Sequence, residues 1–232
     1  ARDPGRLRRA FPSIEAMHLD LATLPGGNTL IDSLRGIDVV INAAGVLDGP
    51  GLEPVHVDGP ARLYAAATAA GTGRVVLISA ISAREDVQTG YSRTKLNGEA
   101  ALRASGVPWT ILRPSLVVAK GSFGGTSVLR GLAGLPFVTP VMNSGNARFS
   151  PIHARDLARA VVSAAADERF AGAVLEPCGP DTLTLGDLVR DYRRWLGLAP
   201  GVEIGLPRPL VRLAGRAGDL LGGGPVSTTS LD

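Results

Sequence analysis

The 232-residue chain has a single cysteine, Cys178, so it can form no internal disulfide and carries no paired-cysteine metal motif. That usage is compatible with a reducing compartment. Aromatic residues make up only 4% of the chain. None interleaves with the opening arginines Arg2, Arg6, Arg8 and Arg9, as a single-strand nucleic-acid binder would need. With a net charge of only +3, a nucleic-acid role is not expected. No apolar run of about 18 residues is present, so nothing reads as a membrane span. The opening Ala1-Arg2-Asp3-Pro4 is charged and broken, unlike a signal peptide.

What is plentiful is apolar: 45% of residues, enough for a core, with 30 glycines that suit close helix–sheet packing. The length fits one large α/β domain, or a domain plus a small lobe.

One stretch, residues 74–95, organises the rest: RVVLISAISAREDVQTGYSRTK. Val75-Val76-Leu77-Ile78 is short and β-branched enough to be a buried parallel strand. A polar cluster with Ser79 and Ser82 ends it, and Tyr91-Ser-Arg-Thr-Lys95 opens a helix. Positions four apart share a helical face, so the Tyr91 hydroxyl and the Lys95 ammonium can point into one cleft. That cleft would lie beyond the carboxyl ends of the strands, where open α/β sheets bind ligands. A free tyrosine has a pKa near ~10, and a nearby ammonium favours phenolate. The arrangement therefore suits proton transfer.

A second buried strand, Asp38-Val-Val-Ile, runs into Asn42-Ala43-Ala44-Gly45, small residues that let a ligand approach the backbone closely. Residues 16–21 read as a strand ending at Asp20-Leu21, followed by a helix over 29–35 that Gly36 caps. An alanine-rich helix is expected over 60–70, a helix from Tyr91 to Ala104 and a buried strand over 109–112. From Lys120 the glycines at 121, 124, 125, 131 and 134 predict loop-rich structure, the usual place for substrate contacts. Ala154, Leu157, Ala158, Val161, Val162 and Ala165 form an apolar helical stripe. A short strand at 173–177, a helix over 185–196 and a strand over 202–206 complete the pattern.

With Ser79, Tyr91-Ser-Arg-Thr-Lys95 and Trp109-Thr-Ile-Leu-Arg-Pro114-Ser115, the chain resembles the atypical extended group of the short-chain dehydrogenase/reductase superfamily. That group is similar to NAD(P)-dependent epimerases and dehydratases and to the NADPH-binding accessory subunit of respiratory complex I. The resemblance implies a Rossmann-like doubly wound parallel sheet over residues 1–170. It also implies a small C-terminal α/β lobe at 171–232, interleaved with 120–155. Tyr91 would be the acid or base, Lys95 would tune it and hold ribose, and Ser79 would orient the substrate. Asp20 and Leu21 would lie beside the adenine, the main chain of Ala43, Ala44 and Gly45 on the ribose, and Pro114 and Ser115 at the nicotinamide. Arg2 would pair with a 2′-phosphate, which favours NADP, with NAD left open.

Three departures accompany the resemblance. The family's catalytic hydroxyl falls one or two residues past Ser79, where Ala80 and Ile81 stand. Asparagine is usual where His56 stands, so His56 is expected to bond a backbone group and serve structure. No glycine turn between a strand and a helix is found, so the chain is expected to be missing roughly one βα unit of ~30 residues, a variant fold being the alternative. The resemblance points to a small-molecule substrate, a quinone or a sugar derivative, in a cytoplasmic protein. Arg208, Arg212 and Arg216 read as a solvated basic face, with peripheral membrane contact as the open alternative. The alternative to an enzyme is a non-catalytic NADPH-binding module or assembly subunit.

Overall fold

The computed structural model describes residues 3–121, 125–142 and 148–206. In chain order, α1 (Pro4–Ala10) and α2 (Asn28–Leu34) precede β1 (Val39–Asn42). A π-helical turn, Pro54–Asp58, runs directly into α3 (Gly59–Ala70). Then β2 (Arg74–Ile78), α4 (Gly90–Ala104) and β3 (Trp109–Leu112) alternate as predicted. The remainder comprises β4 (Val117–Val118), α5 (Gly125–Ala133), β5 (Val138–Met142), β6 (Arg148–Phe149), β7 (Ile152–His153) and α6 (Ala154–Ala166). Last come β8 (Val174–Leu175), β9 (Leu183–Thr184), α7 (Leu185–Trp195) and β10 (Val202–Leu206).

The main sheet is parallel, ordered β1–β2–β3–β8, with Val40 opposite Val75 and Val76 opposite Thr110. Side chains alternate across it, as the period of two demands. Val75, Leu77 and Ile111 pack with Leu63, Tyr64 and Ala67 of α3 and with Leu102 of α4. Val76 and Leu112 face the other way, onto Leu157, Val161 and Ala164 of α6. Helices thus cover both faces, the doubly wound α/β arrangement. Each fully buried aliphatic contributes roughly 1.5–3 kcal/mol, so these two layers dominate the stability of the sheet. Thr89 caps α4, its hydroxyl accepting the Ser92 N–H (3.1 Å), and Gly71 ends α3 with a left-handed φ of 77°.

Gly98 is required by packing. A Cβ there would collide with the His56 carbonyl, so glycine lets α4 lie directly against the π-helical turn.

Two expectations fail. Residues 16–20 form no strand; Leu21–Thr23 is instead a short 3₁₀ turn capped by Asp20, whose carboxylate accepts the Ala22 N–H. The segment after Lys120 is not simply loop. It contains α5, whose Leu129 and Ala133 pack on Leu188, Val189 and Tyr192 of α7, a third core cluster. The apolar positions 129, 132 and 133 were masked in the sequence by the glycines around them. Among the described residues, β1 has no strand on its outer edge, and Ile41 is 50% exposed there.

Candidate active site

The carboxyl ends of β1 and β2 and the first turns of α4 come together around Gly45 and Ile78. Lys95, one turn beyond Tyr91, is buried, with its Nζ 5.8 Å from the Tyr91 ring centroid. It donates one long hydrogen bond, 3.3 Å, to the Ile78 carbonyl. A Cβ on Gly45 would stand 3.3 Å from Lys95 Nζ and 3.5 Å from His56 Nε2. Tyr91, Lys95, His56 and the loop after β1 therefore meet.

Burial pulls the Lys95 ammonium down to about 8, with the Glu99 charge opposing it. Burial raises the Tyr91 hydroxyl above its usual range. This is opposite in direction to what the sequence suggested for Tyr91. The ammonium lies near the ring rather than on the hydroxyl, so desolvation sets the direction.

The Ser79 hydroxyl is engaged by Glu99. Ser79 is buried, and its hydroxyl donates to Glu99 Oε1 at 2.6 Å. Glu99, fully buried, also receives Arg113 Nε (2.9 Å) and Nη2 (2.7 Å) and Arg103 Nη2 (3.0 Å). Burial pushes the Glu99 carboxyl up, but the bonds from Arg113 and Ser79 and the charges of Arg113 and Arg103 outweigh it, leaving the group below its ordinary range. Glu99 was not singled out from the sequence. Its signal was available: it follows Lys95 by four and precedes Arg103 by four on one helical face.

A cleft of about 400 Å³ opens beside β1 and is lined by Asp20, Leu21, Ile41, Ala43, Ala44 and Gly45, among others. Its floor is fixed by Asn42, whose Nδ2 donates to the buried Tyr64 hydroxyl (2.8 Å) while Oδ1 accepts the Ala44 N–H (3.1 Å). Burial pushes Tyr64 up to about 12, so it stays protonated. Asp20 Oδ1 accepts the Ala22 N–H (3.1 Å), which holds Leu21 against the cleft wall. Pro114 and Ser115 sit at the end of β3, where the Pro114 carbonyl accepts the Ile81 N–H (3.1 Å) and the Ser115 N–H donates to Pro177 (3.1 Å). Arg2 and the arginines at 208, 212 and 216 lie outside the described residues.

No cluster of three or more metal-ligating side chains occurs among the described residues, and no helix among them is long and apolar enough to cross a membrane. His153 accepts the Arg155 N–H (3.2 Å) at the start of α6, a capping role.

A parallel sheet with helices on both faces, and a cleft of small residues at the carboxyl ends of its strands, defines a nucleotide-binding Rossmann-like protein. Residues 1–168 match the NAD(P)H-binding family, and the chain belongs to it. With its Tyr91 and Asn42 motifs it falls in the extended short-chain dehydrogenase/reductase superfamily. Among its relatives is a ceramide reductase of Caulobacter vibrioides, 30% identical over 184 residues, covering 78% of this chain and 57% of that protein. Another is the 40 kDa subunit of mitochondrial NADH-ubiquinone oxidoreductase of Neurospora crassa, 27% identical over 162 residues, covering 68% and 41%. The chain thus spans less than two thirds of the length of these relatives. A nucleoside-diphosphate-sugar epimerase from Staphylococcus aureus superposes with a TM-score of 0.73, 14% identity and coverage of 100% of this chain and 78% of that one. At that identity the likeness speaks for the fold.

Proposed function

We propose that the chain is an NAD(P)-dependent oxidoreductase that reduces or oxidises a small carbonyl or alcohol substrate, with Tyr91 as acid or base. The observation that carries this reading is the meeting of Tyr91 and Lys95 with Gly45 at the cleft. The residues fit a dinucleotide: Gly45 leaves a cradle that a Cβ would fill, and Lys95 keeps ammonium donors beyond its one long carbonyl bond. Lys95 would hold ribose hydroxyls, Ala43, Ala44 and Gly45 would face the ribose, and Asp20 and Leu21 would flank the adenine. Pro114 and Ser115 would shape the nicotinamide end. When bound, the nicotinamide supplies or accepts the hydride. Tyr91 delivers or takes the proton at the substrate oxygen, and the Lys95 charge, 5.8 Å from its ring centroid, would work against the burial that raises its hydroxyl. In this reading residues 1–170 bind cofactor, while 171–232 with 120–155 contact the substrate. A relative bearing the name of a reductase supports a reduction as the reaction.

A second reading, a non-catalytic NADPH-binding module, is favoured by one observation. The Ser79 hydroxyl is committed to Glu99, and Ala80 and Ile81 offer no replacement. Ser79 would have to leave Glu99 to orient a substrate.

Tyr91→Phe separates the two. NADPH and NADH binding are followed by fluorescence titration, and NADPH oxidation is followed with quinones, sugar nucleotides and long-chain ketones. The oxidoreductase loses about 10²–10⁴-fold in turnover with unchanged cofactor affinity. Binding of NADPH without turnover by the unsubstituted chain favours the module, and failure to bind either nucleotide sinks both.

A further inference from the structure

We propose that His56 is a positioning residue that ties the loop 42–46 to the Tyr91–Lys95 turn of α4; the consequence for cofactor rests on the reading of that cleft as the NAD(P) site. The imidazole is 4% exposed and lies in the π-helical turn ahead of α3. Such turns widen the helix by one residue and shift where a side chain points. His56 Nε2 lies 3.2 Å from the Val46 N–H, which can only donate, so Nε2 accepts. The proton therefore sits on Nδ1 and is donated to Thr94 Oγ1 at 2.8 Å. The Thr94 hydroxyl in turn donates to the carbonyl of Gly90 (3.0 Å) or Tyr91 (3.1 Å). The ring also packs edge-on against Tyr91, with centroids 5.5 Å apart and planes at 83°.

One side chain thus joins two segments far apart in sequence, the loop that lines the cleft and the helix turn that carries the acid–base pair. Only the neutral ring can do so, because a second ring proton would face the Val46 N–H. Burial, then the charge of Lys95, lowers the imidazole to about 4, which keeps it neutral at pH 7. Asparagine, usual at this position in proteins the chain resembles, ends where Nδ1 lies and falls short of Val46. Glutamine places its oxygen near Nε2.

The test uses the full chain and three variants, His56→Gln, His56→Asn and His56→Leu, with thermal melts to establish folding. The wild-type His56 ¹⁵N signals should report the Nδ1–H tautomer. The Val46 amide should exchange slowly in wild type and His56→Gln, and about 3- to 10-fold faster in His56→Asn and His56→Leu, the loss of one net hydrogen bond. NADPH affinity should fall by about the same factor in the latter two and be partly restored in His56→Gln, which keeps the Val46 bond but gives up the one to Thr94. Should His56→Leu not fold, the Gln and Asn pair carries the comparison. Equal Val46 exchange in wild type and His56→Asn overturns the tie. Affinities that follow melting temperature rather than Val46 protection make His56 a packing residue only. If wild type binds neither NADPH nor NADH, the reading of the cleft falls, and the exchange rates alone decide whether the loop is tied.

Discussion

Lys95 beside the Gly45 loop and Arg193 in α7 are nearly equally buried, 6% and 5% exposed, yet their surroundings differ sharply. Arg193 donates to four main-chain carbonyls: Ala199 (2.6 Å), Ala133 (3.0 Å), Leu135 (2.6 Å) and Val138 (3.3 Å). Its guanidinium cross-links the end of α5, the start of β5 and the loop after α7. Lys95 has one long bond to Ile78 and no ion pair among the described residues. A buried cation whose donors are saturated holds a fold together. One left undersupplied costs the fold stability and keeps its donors for something else.

The largest expected effect falls beside the site rather than on either cation. Glu99→Leu leaves Arg113 and Arg103 without their carboxylate and should destabilise by about 3–5 kcal/mol, read as a shift of the urea midpoint at constant m. An unchanged midpoint would mean that the Glu99 network contributes nothing to the sheet end on which the cleft stands. Next, Arg193→Met orphans four carbonyls and should destabilise by about 3 kcal/mol. Lys95→Met should go the other way, stabilising by roughly 2–3 kcal/mol at pH 7 while abolishing NADPH binding.

The sign for Lys95 follows from its depressed value. Its folded value is about 8, against 10.5 for a free lysine. Below pH 8 it is charged in both states and the burial cost is present in full. Between about 8 and 10.5 the unfolded chain binds the extra proton, so stability from this group rises with pH. That rise should vanish in Lys95→Met. If both substitutions destabilise equally, the contrast between the two cations collapses. The smallest effect is expected at Arg84, which pairs with Glu176 (2.7 Å) half in solvent. Arg84→Ala should cost about 0.2–1 kcal/mol and fade with added salt.

The difference between the two regions also marks where the sequence was readable. The core strands and helices around the cleft were legible because apolar period, length and flanking glycines agree locally: 74–78, 109–112 and α4 fall where expected. The Tyr91–Lys95 pair was legible because helical spacing alone places both on one face. The C-terminal side was less so. α5 hides among glycines, and its helix is stabilised by α7, sixty residues on, rather than by its own propensity.

By itself the sequence determined a parallel α/β sheet, a small-residue loop after its first strand and a tyrosine–lysine face at the start of α4. These rest on interactions within a few residues of each other, where chain geometry leaves little choice. Only the tertiary structure decided that the Ser79 hydroxyl turns to Glu99, that His56 joins Val46 to Thr94, and that residues 16–20 form no strand. A hydroxyl, an imidazole and an extended segment each accept several partners, and which one they meet depends on what the rest of the fold brings within hydrogen-bond reach.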